Sequence, residues 1–162
     1  MHYLQLELYK NIRNDLDLFD FIQNTALDGL WYWDLEQPEN EWMNPKFWQV
    51  LGYDAEKMPH SPSAWQSLIN AEDFKIAEQL IHKCISDPTK KYEQVLEYKH
   101  KKGHSVYIKC YGKIYCNSEG KPIRMLGAHV DVSETIKSEK KALSEANFLK
   151  QIYSTNSIYV LK

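Results

Sequence analysis

Apolar residues recur at Leu4, Leu8, Ile12, Leu16 and Phe19, with Tyr9 beside them, a spacing near 3.6 that predicts one amphipathic helix with a single sticky face. Asp28-Gly29 interrupts it, and Leu30 to Leu35 reads as an aromatic strand with Trp31, Trp33 and Leu35 on one side. A turn over 36–40, holding Pro38, leads to a second short strand, Glu41-Trp42-Met43. Asn44-Pro45 is a helix start, because an Asn side chain accepts from the first free amides and Pro at the first helical position loses no needed hydrogen bond. Phe47, Trp48 and Leu51 belong to the short helix that follows, which stops at Gly52. Turns fill 53–63, and Trp65, Leu68 and Ile69 form a further apolar patch.

Asn70 with Glu72 and Asp73 opens the longest mid-chain helix, whose apolar stripe is Phe74, Ala77, Leu80, Ile81, Cys84 and Ile85 and whose end precedes Asp87-Pro88. The period then changes. Residues 92–99, 105–116 and 122–132 are β-rich runs parted by 101–103 and 117–120, which predicts a three-stranded antiparallel meander. From Ser133 to Tyr153 an imperfect helical stripe of Ile136, Leu143, Ala146, Leu149 and Ile152 marks an exiting helix. Beyond a polar stretch at 154–157, residues 158–161 read as the start of another strand; Ile152 to Tyr159 loosely echoes Ile22 to Trp31, a hint of a second copy of the same unit.

These elements give an α+β class: a five-stranded antiparallel sheet with short helices over one face, flanked by N-terminal and C-terminal amphipathic helices. The organisation expected is a helix over 1–20, a central domain over 21–134, an exit helix over 135–153, and a truncated following unit over 154–162. A pocket between helices and sheet would be lined by Trp31, Trp33, Phe47, Leu51, Leu80, Cys84, Ile108, Leu126 and Ala128. So many large side chains can also fill that space completely, and the filled core is the favoured expectation.

Composition narrows the function classes. With 162 residues, 43% hydrophobic and 13% aromatic, the chain supports one packed core. Twenty basic against 22 acidic residues give a net charge of −2, no field for a nucleic acid. The densest basic cluster, His100 to His104, falls where a hairpin tip is expected and reads as a solvated turn. Cys84, Cys110 and Cys116 lack the pairing of a zinc site and the density of a disulfide scaffold, which fits a reducing cytoplasm. No stretch approaches the roughly 18 to 20 apolar residues of a membrane span, and no secretory leader is read near Met1, so no direct membrane contact is expected.

Over residues 21–134 the order of motifs resembles the PAS family, in the subgroup that ends in a PAC segment. The resemblance rests on Asp28-Gly29-Leu30-Trp31 with Trp33-Asp34, on Asn44-Pro45-Lys46-Phe47-Trp48 through Leu51-Gly52-Tyr53, and on Glu97-Tyr98-Lys99 and Lys102-Gly103. Gly120 to Arg124, Gly127 and the closing Asp131-Val132-Ser133-Glu134 complete it, while Ile69 to Asp73 departs from the family's usual His-Pro and shares only the cap. It implies a sensory and dimerisation module of a bacterial-style signalling protein, with a histidine kinase of a two-component system as output domain, or alternatively a ligand-free relay for a diguanylate cyclase. Asp131 and Ser133, able to cap the exit helix, would set the angle of signal relay, and a homodimer through the terminal helices is expected.

No catalytic constellation is read in these residues, and no cofactor is predicted, although a small organic ligand stays open. The flavin-adduct helix of the light-sensing branch needs Asn-Cys-Arg-Phe-Leu-Gln, which is missing. Haem through His82 is disfavoured because that residue falls at the edge of the apolar stripe. Zinc on His100, His104 and His129 with Cys110 or Cys116 is disfavoured because these positions span a turn and different strand faces.

Overall fold

The computed structural model describes residues 2–159, with side chains through Ile152. In chain order the elements are α1 (Tyr3–Asn14), α2 (Leu16–Ala26), β1 (Gly29–Asp34), β2 (Glu41–Met43), α3 (Pro45–Val50), α4 (Ser63–Gln66), α5 (Ala71–Ser86), β3 (Tyr92–Lys99), β4 (Ser105–Cys116), β5 (Pro122–Asp131) and α6 (Ser133–Tyr159), with one 3-10 turn at Ala55–Lys57. The five strands form one antiparallel sheet, as the sequence predicts, and their order is β2-β1-β5-β4-β3. By contact density the chain divides after Asp131 into two compact units.

The N-terminal segment is two helices, not the one expected over 4–19. Asp15 adopts an extended backbone (φ −130°, ψ 103°), and its carboxylate accepts from the amides of Asp17 and Leu18, so it ends α1 and caps α2. The apolar spacing stays in phase across this break, which is why periodicity alone does not reveal it. At the other end, α6 continues to Tyr159, through 154–157 and into residues read as strand; residues 160–162 of that expectation lie outside the described residues.

The meander turns at Gly103 (φ +93°) and Gly120 (φ +81°), left-handed positions that a side chain rarely tolerates. At the second turn the Asn117 side chain accepts from the amides of Glu119 and Lys121. On the helix-facing side of the sheet, Trp31 lies over Gly112 and Gly127, which face each other across β4 and β5. A Cβ at Gly127 would meet the indole and the Tyr111 carbonyl, so the large ring on β1 requires its smallest neighbour there.

Asn44 joins three elements. Its Oδ1 accepts from the Leu30 amide at 2.9 Å and, at 3.4 Å, from the Phe47 amide at the start of α3, while its Nδ2 donates to Gln23 Oε1 on α2 at 3.3 Å. α3 then buries Phe47 and Trp48, with Leu51 just beyond it, against the sheet, beside Ala77 and Cys84 of α5.

Candidate functional site

Between helices and sheet lies a cavity of about 30 Å³, large enough for an ordered water. β1 contributes Trp31 and Trp33, β2 Glu41 and Met43, α4 Trp65, and α5 Ile81; the meander contributes Tyr92, Leu96, Tyr98, Cys110 and His129. Glu41 pairs with Trp33 in register, so alternation along β2 points it inward beside Trp31 and Met43, where it is only 6% exposed. Its Oε2 accepts from Trp65 Nε1 at 2.6 Å, and among the described residues no cation pairs with it. Burial pushes its pKa up to about 7, against the lowering effect of the Trp65 hydrogen bond.

His129 is 3% exposed, tilted against Phe47 at 4.5 Å and stacked over Trp31 at 6.2 Å between ring centres. Burial pulls its pKa down to about 3, so the ring is neutral at physiological pH. Its Nδ1 and the Nε1 of Trp31 are the two buried polar side-chain atoms without a hydrogen-bond partner among the described residues. Tyr98 and Cys110 hydrogen-bond to each other, and burial raises the pKa of both.

Outside this cavity, a groove of about 820 Å³ runs between α4, α5 and the loops at 35–39 and 121–122. Trp33, Trp65 and Ile81 line both spaces and form the wall between them. Leu35, Phe74 and Ile85 give the groove apolar walls, and Glu39, Glu78, His82 and Lys121 lie around it.

Of the nine expected pocket residues, Trp31 and Trp33 line the inner cavity. Phe47, Leu51, Cys84 and Ile108 are buried in the core cluster and half-buried Leu80 packs against it, but none of the five lines the cavity. Leu126 and Ala128 are corrected: they lie on the opposite face of the sheet. β1 pairs with β5 as Gly29 with His129, Trp31 with Gly127 and Trp33 with Met125, which turns Met125 and His129 toward the helices. Residues 123–132 are apolar at both parities, so a one-residue error in facing moved the whole set.

Sequence reasoning missed Glu41, Met43, Trp65, Ile81, Tyr92, Leu96 and Tyr98, and weighed Cys110 and His129 only as zinc ligands. One signal was present: Glu41 shares the parity of Met43 on a three-residue strand. His82 is exposed at the groove. His100 and His104 stack at 4.1 Å at the β3–β4 turn, away from His129, and no group of three or more His, Cys, Asp or Glu that could hold a metal occurs among the described residues. Asp131 ends β5, its amide donating to Asp28 Oδ2 at 2.8 Å, and Ser133 begins α6.

Comparison with known proteins decides the family. A family model described as the PAS fold matches residues 40–129, more than half of the chain. The chain belongs to the PAS family. Among solved structures, this PAS chain is similar to a sensory box histidine kinase/response regulator from Burkholderia thailandensis, with 22% identity, 82% of this chain and 98% of that one covered, and a TM-score of 0.67. It is also similar to the N-terminal domain of a diguanylate cyclase with PAS/PAC sensor from Marinobacter aquaeolei, at 18% identity, 66% and 96% coverage, and a TM-score of 0.58. A LOV protein from Rhodobacter sphaeroides shares 17% identity over 76% of this chain and 73% of its own, with a TM-score of 0.54. No curated protein matches. The chain thus has the PAS fold, shared with these histidine kinase and diguanylate cyclase structures.

Proposed function

We propose that this PAS domain is the sensory and dimerisation module of a cytoplasmic two-component histidine kinase, passing its state through α6 to the output domain. One observation carries the reading: β5, the central strand, hydrogen-bonded to β1 and β4, passes into α6 with only Val132 between. Any change on the helix-facing side that moves Met125 or His129 therefore moves the strand that feeds the exit helix. The kinase neighbour supports that output, and the cyclase neighbour supports a diguanylate cyclase as the next choice.

Asp28 is the place to test the relay, because its carboxylate holds the Asp131 amide at the end of β5. Replacing it (Asp28→Ala) is expected to raise hydrogen exchange at residues 129–133 by roughly fivefold, the equivalent of one hydrogen bond of about 1 kcal/mol. Unchanged exchange there would remove the junction from the mechanism.

The inner volume of about 30 Å³ favours a second reading, a relay that works without any ligand. A small-molecule adduct retained in native mass spectrometry is the result that excludes it.

A further inference from the structure

We infer that Glu41 and the aromatic rings around it form the head-group site for a small organic ammonium ion, entered from the outer groove past Trp65. The inference rests on reading the domain as a ligand sensor and names the class of ligand.

Charge is the first argument. A carboxyl group held away from water without a cation is costly in its ionised form, and among the described residues Glu41 has only a neutral indole N–H to offset that. The other titratable groups facing the cavity supply no positive charge: Tyr92 and Tyr98 on β3 and Cys110 on β4 are protonated and neutral, and His129 on β5 is neutral. An anionic ligand would meet one carboxylate and no cation. A cationic one completes the pair.

The walls are the second argument. Trp31, Trp33, Trp65, Tyr92 and Tyr98 line the same cavity as the carboxyl, and the negative faces of such rings attract ammonium groups, methylated ones above all. A carboxylate in a cavity walled largely by aromatic residues suits a soft cation with an organic body.

Access is the third. The inner space holds about 30 Å³, too little for a methylated ammonium, while the groove behind Trp65 holds about 820 Å³, within the range of small-molecule sites. Trp65 sits on α4, a four-residue helix without a side-chain cap, and its ring is half-buried. Rotation of this one ring joins the two spaces, and the incoming ammonium replaces the Trp65 N–H as partner of Glu41. The ligand's apolar body then rests against Leu35, Phe74 and Ile85. At the groove, Glu39 and Glu78 balance Lys121, which lies 3.8 Å from Glu36, and the exposed His82. Because the pair needs an ionised carboxylate, binding weakens as pH falls and Glu41 takes up its proton.

The test titrates the whole chain with benzyltrimethylammonium and with its uncharged carbon isostere, neopentylbenzene, by calorimetry and tryptophan fluorescence. The expected result is saturable binding of the cation, at least about tenfold tighter than the isostere, with that preference lost in Glu41→Gln, which keeps an acceptor for Trp65. Trp65→Phe, which removes the latching donor and keeps an aromatic wall, is expected to bind the cation at least as tightly as the parent chain. Equal binding of the two probes overturns the ammonium assignment while leaving a ligand sensor intact. Binding undiminished in folded Glu41→Gln, or no saturation by the cation, overturns it as well; the relay through β5 is judged separately by the exchange measurement on Asp28→Ala.

Discussion

Glu41 and His129 stand on the two strands that flank β1, and burial moves their protonation in opposite senses. Glu41 has a folded pKa of about 7 against 4.5 unfolded, so its contribution to stability is full below 4.5 and is lost as pH rises through 7. His129 has a folded pKa of about 3 against 6.5 unfolded, so its contribution is full above 6.5 and is lost as pH falls through 3. Between pH 4.5 and 6.5 the two slopes, each about 1.4 kcal/mol per pH unit, oppose and largely cancel. Glu41→Gln is therefore expected to lose stability relative to the parent chain on acidification across that window, as the His129 slope is unmasked. Chemical denaturation of both chains at several pH values measures it, and parallel curves would show that Glu41 titrates normally.

At the scale of elements, Asn44 shows how much a cap can do beyond its own helix. Asn44-Pro45 was legible as a helix start, because capping depends on residues adjacent in the chain. Its bonds to Leu30 on β1 and Gln23 on α2 were not legible, since they span 14 and 21 residues. Asn44→Ala leaves the Leu30 amide and Gln23 without this partner in a buried setting, so the expected loss is about 2–3 kcal/mol, above the roughly 1 kcal/mol of an exposed cap. Urea denaturation gives the value, and a loss under 1 kcal/mol would confine Asn44 to ordinary capping. The division at Asp15 teaches the converse: a local cap existed, but an apolar stripe continuing in phase concealed it.

At the scale of the whole molecule, the apolar surface left uncovered bears on assembly. Leu4, Leu8, Tyr9, Leu16, Phe19 and Phe21 on α1 and α2 are exposed, as are Tyr32, Trp42, Val95, Tyr111 and Val130 on the outer sheet face and Leu143, Phe148 and Leu149 on α6. Such a surface supports a homodimer. Sedimentation is expected to show a dimer at high micromolar concentration, with Leu4→Glu combined with Leu8→Glu shifting it to monomer without loss of helicity. A monomer in the parent chain would overturn the dimerisation role and leave the pocket inference standing. No helix among the described residues is long and apolar enough to cross a membrane.

The sequence by itself determined the order and type of the elements between Asp28 and Asp131, because the change from period 3.6 to period 2, the asparagine caps and the glycine turns are properties of near neighbours. It also carried the family, through motifs spread over that span. Only the tertiary structure decided which face of β5 meets the helices, because an apolar strand has no parity until its partner sets the register. The same holds for the site: Glu41 is an ordinary polar residue in a short strand until the fold buries it in a cavity it shares with Trp31, Trp33 and Trp65.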